Sequence, residues 1–306
     1  MPLTHYRCPD GRECPVNECL KHCRLEGKLN PTTGMLYVPC GRCLSRRALL
    51  AIAAERRWTG RPSTTQLLNG TLEEYLKLTE PYTIDPMQSV FALHGTAVHE
   101  SLEENTEGNA MTEKRLDDGV STGAFDYFDE EATEEENTGY LYDDKTYGSY
   151  KAAKVLGAVK HKEQVGLYKN GKPKYKTYFT YDGVHGSGRL DLAIQLNDYR
   201  MKLQKCLGKT AKKMICEMIV RDGNTYMAES RGVMYPAYLV EVNKISDHWV
   251  SKYMKAKADN LVHAMETGLL PKQCSYRERW GGMKCERFCN VKDKCPYANI
   301  KEIHNE

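Results

Sequence analysis

Long hydrophobic runs are missing from this chain. No stretch approaches the roughly 18 consecutive apolar residues that a membrane helix requires, and the opening residues MPLTHYRCPDG carry no apolar segment of a secretion signal. The expectation is an intracellular, cytoplasmic protein with no membrane partner. An excess of charge is missing too: 44 basic against 41 acidic residues leave a formal charge of +3 and a pI near 8.1. So small a surplus makes no bulk field for nucleic acid, and any such partner has to be argued from a site. Nothing in the pattern suggests a fibre or a repeat array.

Cysteine, by contrast, is abundant. All of the 12 cysteines except Cys206 and Cys216 fall into two groups at the two ends of the chain. Without a secretion signal this clustering favours metal ligation in a reducing compartment over disulfides. Residues 1–45 hold six cysteines among Pro, Gly and charged residues. That is too little apolar material for a core, so a metal orders this segment or nothing does. With 306 residues, 41% of them apolar, the chain can bury one large core or two modest ones. The expected organisation is a cysteine-rich segment at 1–45, a main domain at 46–266 and a four-cysteine module at 267–306.

Within the main domain, RRALLAIAAERR (46–57) reads as a helix, and PSTTQLLNGTLEEYLKL starts another with Ser63 as its N-cap. ALHGTAVHESLEEN reads as a third, on which His99 and Glu103 share a face. GVSTGAFDYFDEEATEEENTGYLYDDKTYGSY contains two aromatic-rich strands around an acidic turn segment, a β-hairpin. GSYKAAKVLGA follows as a helix, and residues 163–185 look like a second hairpin turning at Asn170-Gly171. GRLDLAIQLNDYRMKLQK is a helix whose Leu192, Leu196, Tyr199 and Leu203 recur at core spacing. Strands near 214–221 and 235–243 and a long helix through DHWVSKYMKAKADNLVHAMETG follow. The expected fold class is α/β or α+β, a mixed central β-sheet flanked by helices with cysteine-rich metal modules at both ends.

The stretch TGYLYDDKTYGSYKAAK puts charges inside an apparent strand. Alternation points Asp143 and Lys145 to one face and Tyr142, Asp144 and Thr146 to the other. The partner strand offers Asp126, which falls beside Asp143 if the turn is centred near Glu134. Two adjacent carboxylates repel unless a cation lies between them, and Mg²⁺ or Mn²⁺ is held by one or two carboxylates with waters and substrate phosphates. A nearby lysine can orient water or stabilise phosphate charge, which outlines phosphodiester hydrolysis.

The order of features resembles the PD-(D/E)XK nuclease superfamily, and within it the RecB-like exonucleases and their CRISPR-associated relatives. Its carriers are His99 in GTAVHE on a helix, Gly123 with Asp126, Asp143 with Lys145, Gln195 with Tyr199 as Gln-x-x-x-Tyr, and the cysteines Cys285, Cys289 and Cys295. The resemblance spans roughly 60–297 and leaves the N-terminal cysteines unexplained. It implies a restriction-endonuclease-like core that cleaves DNA, exonucleolytically from single-stranded or processed ends, in end processing, recombination or repair. It further implies His99, Asp126 and Asp143 as ligands of Mg²⁺ or Mn²⁺, Lys145 as catalytic base, and Gln195 and Tyr199 as groups that position DNA or the lysine. No G-x4-G-K-[ST] loop is present, so unwinding would fall to a helicase or recombination partner. Asp191 and Glu241 imitate the same strands, but the residue two after Glu241 is Asn243 and Lys244 falls on the opposite face.

At the C-terminus Cys274, Cys285, Cys289 and Cys295 can close around one metal centre, and spacing alone leaves zinc and an iron-sulfur cluster both open. The resemblance tips the expectation toward a [4Fe-4S] cluster; a strict family pattern would put Cys40 or Cys43 in place of Cys274. Arg277, Arg279 and Trp280 beside it are candidate DNA contacts. Among Cys8, Cys14, Cys19, Cys23, Cys40 and Cys43, the set Cys8, Cys19, Cys23 and Cys43 is expected to hold a structural zinc. The rival from another class is a non-catalytic nucleic-acid-binding module stapled by metals.

Overall fold

The computed structural model describes residues 3–54, 58–106, 108, 110–183 and 189–298. The chain divides into two compact units, residues 1–97 with 255–306, and residues 98–254. In the first, β1 (Leu3–Arg7) and β2 (Glu13–Pro15) form an antiparallel hairpin, and β3 (Tyr82–Ile84) pairs parallel with β1 on its other side. Helices α1 (Val16–Lys21) and α2 (Arg46–Ile52) accompany this small sheet, and the Ser45 hydroxyl caps α2 by accepting the Ala48 N–H. Residues 55–57, the end of the expected helix 46–57, lie outside the described residues.

The helix expected from Ser63 is two helices, α3 (Thr64–Leu68) and α4 (Thr71–Thr79). Ser63 does cap the first: its hydroxyl accepts the Gln66 N–H while the Gln66 side chain accepts the Ser63 N–H, which satisfies two otherwise orphaned donors. The break at Asn69-Gly70 has a distant cause. A Cβ on Gly70 would lie 2.2 Å from Cys274 Sγ, so only glycine lets the chain pass that thiol. Helix α5 (Pro86–Glu104) then runs on into the second unit.

The second unit is built on a five-stranded mixed sheet of β4 (Met111–Thr112), β7 (Tyr127–Asp129), β8 (Thr138–Tyr147), β11 (Thr210–Val220) and β12 (Ala237–Glu241), in the order β12-β11-β8-β7-β4. The short strands β5 (Arg115–Asp117) and β6 (Thr122–Ala124) pair separately. β8 and β11 run parallel and the other neighbours antiparallel. A parallel pair needs a long crossover, here supplied by α6 (Ser149–Leu156), the ribbon β9 (Ala158–Leu167) and β10 (Pro173–Tyr181), and α7 (Leu190–Leu207). The turn α8 (Tyr226–Glu229) precedes β12, and α9 (Asp247–Thr267) leads back into the first unit.

The core of this unit follows the sequence periodicities. Leu192, Leu196, Tyr199 and Leu203 on α7 are buried with Phe128, Leu141, Met214 and Met218 from the sheet. Gly139 permits the closeness of β7 and β8, since a Cβ there would fall 2.4 Å from the Asp129 carbonyl oxygen. The fold is mixed α/β, with a mixed sheet and helices, as the sequence suggests. In the first unit a second core gathers Leu72, Tyr75 and Leu76 of α4 with Leu261, Ala264 and Val291, and the short helix α10 (Met283–Arg287) carries Cys285. No helix among the described residues is long and apolar enough to cross a membrane.

Candidate active site

The β7–β8 register pairs Tyr127 with Tyr142, Phe128 with Leu141 and Asp129 with Tyr140. Carried one residue further, it sets Asp126 opposite Asp143, as a turn centred near Glu134 requires. Asp126 Oδ2 accepts the Asp144 backbone N–H at 2.6 Å, which fixes that carboxylate against β8. On the neighbouring side of β8, Cys216 of β11 stands opposite Asp143 and Glu217 opposite Asp144. Asp143 is fully buried.

Strand alternation brings Lys145 to the same face, and its Nζ lies 2.6 Å from Asp143 Oδ2. That oxygen has an ion pair without a well-aligned hydrogen bond, whereas Oδ1 accepts from Gln195 Nε2 at 3.2 Å. The Gln195 amide also donates to the Tyr199 hydroxyl at 3.2 Å, one helical turn along α7. Gln195 and Tyr199 thus act on the site through Asp143. His99, near the end of α5, places Nδ1 3.7 Å from Asp126 Oδ1 and 3.8 Å from Glu113 Oε1.

His99, Glu113 and Asp126 form the one group among the described residues in which three metal-type donors lie within 4.8 Å of one another. Glu113 is absent from the sequence expectation, and Asp143, expected as the third ligand, falls outside the group and faces Lys145. Glu113 reaches the site from a turn with φ of 45°, held by its N–H donating to the Asp126 carbonyl at 3.2 Å. A left-handed glutamate is uncommon and marks a residue held by its surroundings. No local sequence signal separates it from the other acids nearby.

The electrostatics express one conflict. Burial, opposed by Lys145 and reinforced by Asp126, raises Asp143 to about 6. Burial likewise raises Asp126 despite the pull of Lys145 and His99. Asp144, on the other face of the strand, is pushed up to about 7 by burial and by Asp126, Glu217 and Asp143, and its Oδ1 has no hydrogen-bond partner. For Lys145, burial works against the charge, but Asp143 and Asp126 outweigh it and hold the ammonium. The chain's own charges therefore favour the ammonium form of Lys145; a cation on the same carboxylates would compete with the ammonium for their charge. A crowd of carboxylates raised by burial and mutual repulsion, beside a histidine, is a donor set suited to a hard divalent cation.

In the first unit, Cys274, Cys285, Cys289 and Cys295 line one pocket with Leu72, Leu76 and Val291. Two cations, Arg279 and Lys284, are buried beside them. Arg279 donates from Nε to the Cys274 carbonyl at 2.8 Å, so it is not the exposed DNA contact the sequence suggests, while Trp280 is exposed. Lys284 bridges to Glu73 on α4 at 2.5 Å. Among the described residues no three cysteine sulfurs lie within 4.8 Å of one another, whereas a tetrahedral zinc with bonds of about 2.3 Å draws its sulfurs to about 3.8 Å.

Near the N-terminus, burial and then the charges of Cys14, Cys43, Cys8 and Cys23 raise the Cys19 thiol to about 12, so these four thiols are near enough to Cys19 to act on it. Cys14 is the member missing from the expected zinc set. It enters because the β1–β2 register places it opposite Tyr6, with Cys8 next on the same hairpin face. Cys40 is exposed. Asp191, the imitator of a catalytic acid, lies in α7 and pairs with Arg189 at 2.7 Å, and Glu241 sits exposed on β12. Compared with family models, with curated proteins and with solved structures, the chain matches none.

Proposed function

We propose that the chain is a metal-dependent deoxyribonuclease of the PD-(D/E)XK type, with the restriction-endonuclease-like core of the RecB-like exonucleases, acting on single-stranded or processed DNA ends. The observation that carries this reading is the hairpin register that sets Asp126 beside Asp143, with Lys145 on the same face of β8. His99, Glu113 and Asp126 would hold Mg²⁺ or Mn²⁺, with Asp143 beside them, paired to Lys145. When bound, the cation supplies Lewis-acid stabilisation of phosphate charge and an acidified water. The Lys145 ammonium neutralises charge on the phosphate and orients the attacking water. Gln195 holds Asp143 Oδ1, and Tyr199 holds Gln195, so α7 locks the carboxylate that faces the lysine. Burial of Asp143 strengthens its interactions with Lys145 and Gln195.

The four C-terminal thiols with two buried cations beside them fit a negatively charged cluster. A [4Fe-4S] cluster held by Cys274, Cys285, Cys289 and Cys295 would fasten the segment after α9 to α4. A structural zinc is the proposed occupant of the N-terminal group, drawn from Cys8, Cys14, Cys19, Cys23 and Cys43. The deciding experiment is digestion of end-labelled single- and double-stranded DNA with Mg²⁺, Mn²⁺ or EDTA, comparing anaerobically purified wild type with Asp143→Ala. Metal-dependent digestion that vanishes in the variant is expected; binding without digestion under every condition would replace this reading with a non-catalytic nucleic-acid-binding module.

A further inference from the structure

The β9–β10 ribbon stands outside the five-stranded sheet, and none of its residues is fully buried. Its base is tied down by the Tyr181 hydroxyl donating to the Gly232 carbonyl at 2.9 Å and by Lys160 Nζ donating to the Ser230 carbonyl at 3.5 Å. A two-stranded hairpin is marginal in water by itself, so its exposed apolar side chains call for a partner surface.

The composition names that partner's chemistry. Residues 158–181 contain six lysines against a single acid, Glu163, a larger surplus than the +3 of the whole chain. Interleaved with them are aromatic rings: Tyr168, Tyr175 and Tyr178 are 55%, 54% and 44% exposed. The register sets Tyr175, Thr177 and Phe179 on one face with Lys162 and Lys160 opposite Thr177 and Phe179, and Lys160 lies 5.9 Å from the Phe179 ring. On the other face Tyr178 stacks on His161 at 5.1 Å, in line with Lys174 and Lys176. Both faces therefore offer cations for phosphates and rings for bases.

At the base of the ribbon is a groove of about 380 Å³ lined by Tyr150, Lys154, Lys160, Phe179 and Arg231. It adjoins the catalytic strand, because α6 begins two residues after β8 ends and Arg231 donates to Ser149 Oγ at 2.7 Å. A duplex hides its bases from aromatic side chains, whereas a single strand exposes them; rings alternating with lysines fit the single strand.

We propose that the β9–β10 ribbon and its basal groove form a clamp for single-stranded DNA. Lysines neutralise phosphates, tyrosines stack on bases, and the held strand leads toward the end of β8 that carries Asp143 and Lys145. That the strand is substrate rests on the nuclease reading; that it binds here does not. The test uses the full-length protein in EDTA, with fluorescence anisotropy of a labelled oligothymidine and of a duplex across a salt series. Wild type is expected to prefer the oligothymidine. Joint replacement Lys162→Ala, Lys174→Ala and Lys176→Ala lowers the slope of log affinity against log salt by about 2, at roughly 0.7 per lost phosphate contact. Tyr175→Ala and Tyr178→Ala each weaken binding about tenfold, and Tyr175→Phe restores it, because stacking needs the ring alone.

Turnover of bis(p-nitrophenyl) phosphate with Mn²⁺, a substrate too small to span the ribbon, stays unchanged in all of these variants. Unaltered oligothymidine affinity in the variants, or a preference for duplex, overturns the proposal. So does a wild-type dimer that the ribbon variants convert to monomer while oligothymidine binding persists, an outcome that assigns the ribbon to a second copy. Failure of the nuclease reading shows separately, as absence of wild-type turnover of both DNA and the small ester while ribbon-dependent binding remains.

Discussion

Asp144→Asn should stabilise the protein at alkaline pH and leave it nearly unchanged at pH 4 and below. The Asp144 carboxyl has an ordinary value of 3.8 and is lifted to about 7, chiefly by burial and then by Asp126, Glu217 and Asp143. Its folded state thus binds a proton more tightly than its unfolded state. The stability it contributes is full below about pH 4 and is lost as pH rises to about 7. A rise of about 3 units at about 1.4 kcal/mol each sets a ceiling near 4 kcal/mol. Relaxation of the surrounding groups when the buried carboxyl ionises roughly halves it, to about 2 kcal/mol. Asparagine has the same shape and no charge, so it removes the repulsion without making a cavity. At 2–4 °C per kcal/mol, the variant's melting temperature at pH 8 should exceed wild type by about 4–8 °C, with the gap narrowing through pH 5 and closing toward pH 4. The assay is thermal unfolding in EDTA buffers, since a bound cation would itself relieve the repulsion. A gap that stays constant with pH, or a less stable variant at pH 8, refutes the reasoning. The same change at Asp143 would not serve, because it would remove the charge partner of the half-buried Lys145.

Lys145→Ala should abolish metal-dependent cleavage in the end-labelled assay while oligonucleotide binding in EDTA persists; undiminished digestion would remove Lys145 from the site. Gln195→Ala releases Asp143 Oδ1 and should lower activity about 10–100-fold, the range for a group that orients a ligand. Glu113→Gln should weaken Mn²⁺ binding, read as a rightward shift of the Mn²⁺ titration of activity and of melting temperature; an unshifted titration would restore the ligand set without Glu113. Gly70→Ala forces a Cβ onto Cys274 Sγ and should lower both stability and iron content, measured by melting and by elemental analysis of anaerobically prepared protein.

Two periodicities made the centre of the site legible in the sequence. Alternation in β8 separates Asp143 and Lys145 from Asp144, and the acidic turn sets the hairpin centre, so Asp126 follows by counting. The helical repeat on α7 likewise sets Tyr199 in a buried leucine row, and the family resemblance adds Gln195 one turn before it. The illegible parts depend on contacts between residues far apart in the chain. Glu113 arrives through a left-handed turn pinned to the Asp126 carbonyl, the break between α3 and α4 answers to a thiol some 200 residues away, and Cys14 joins its group by cross-strand pairing. The ribbon's start at Ala158, earlier than the sequence suggests, follows from Gly157 ending α6 at φ of 63°.

Position 143 itself bears on why such a site exists. It lies inside the sheet, opposite the buried Cys216 on β11 and among neighbours such as Leu141 and Met214 that are apolar and closely packed. An apolar residue there would join that core, whereas the carboxylate loses hydration and must be compensated by Lys145 and Gln195. Buried ion pairs of this kind commonly contribute no more to stability than a hydrophobic replacement would. Asp126 and Asp144 add repulsion on either side, which raises the cost further. Folding alone does not favour carboxylates crowded on adjacent positions of a central strand pair; a cation held by Asp126 with His99 and Glu113 would offset part of that repulsion. The stability given up at β8 is therefore the quantity that the Asp144→Asn pH series and the Mn²⁺ titration both read.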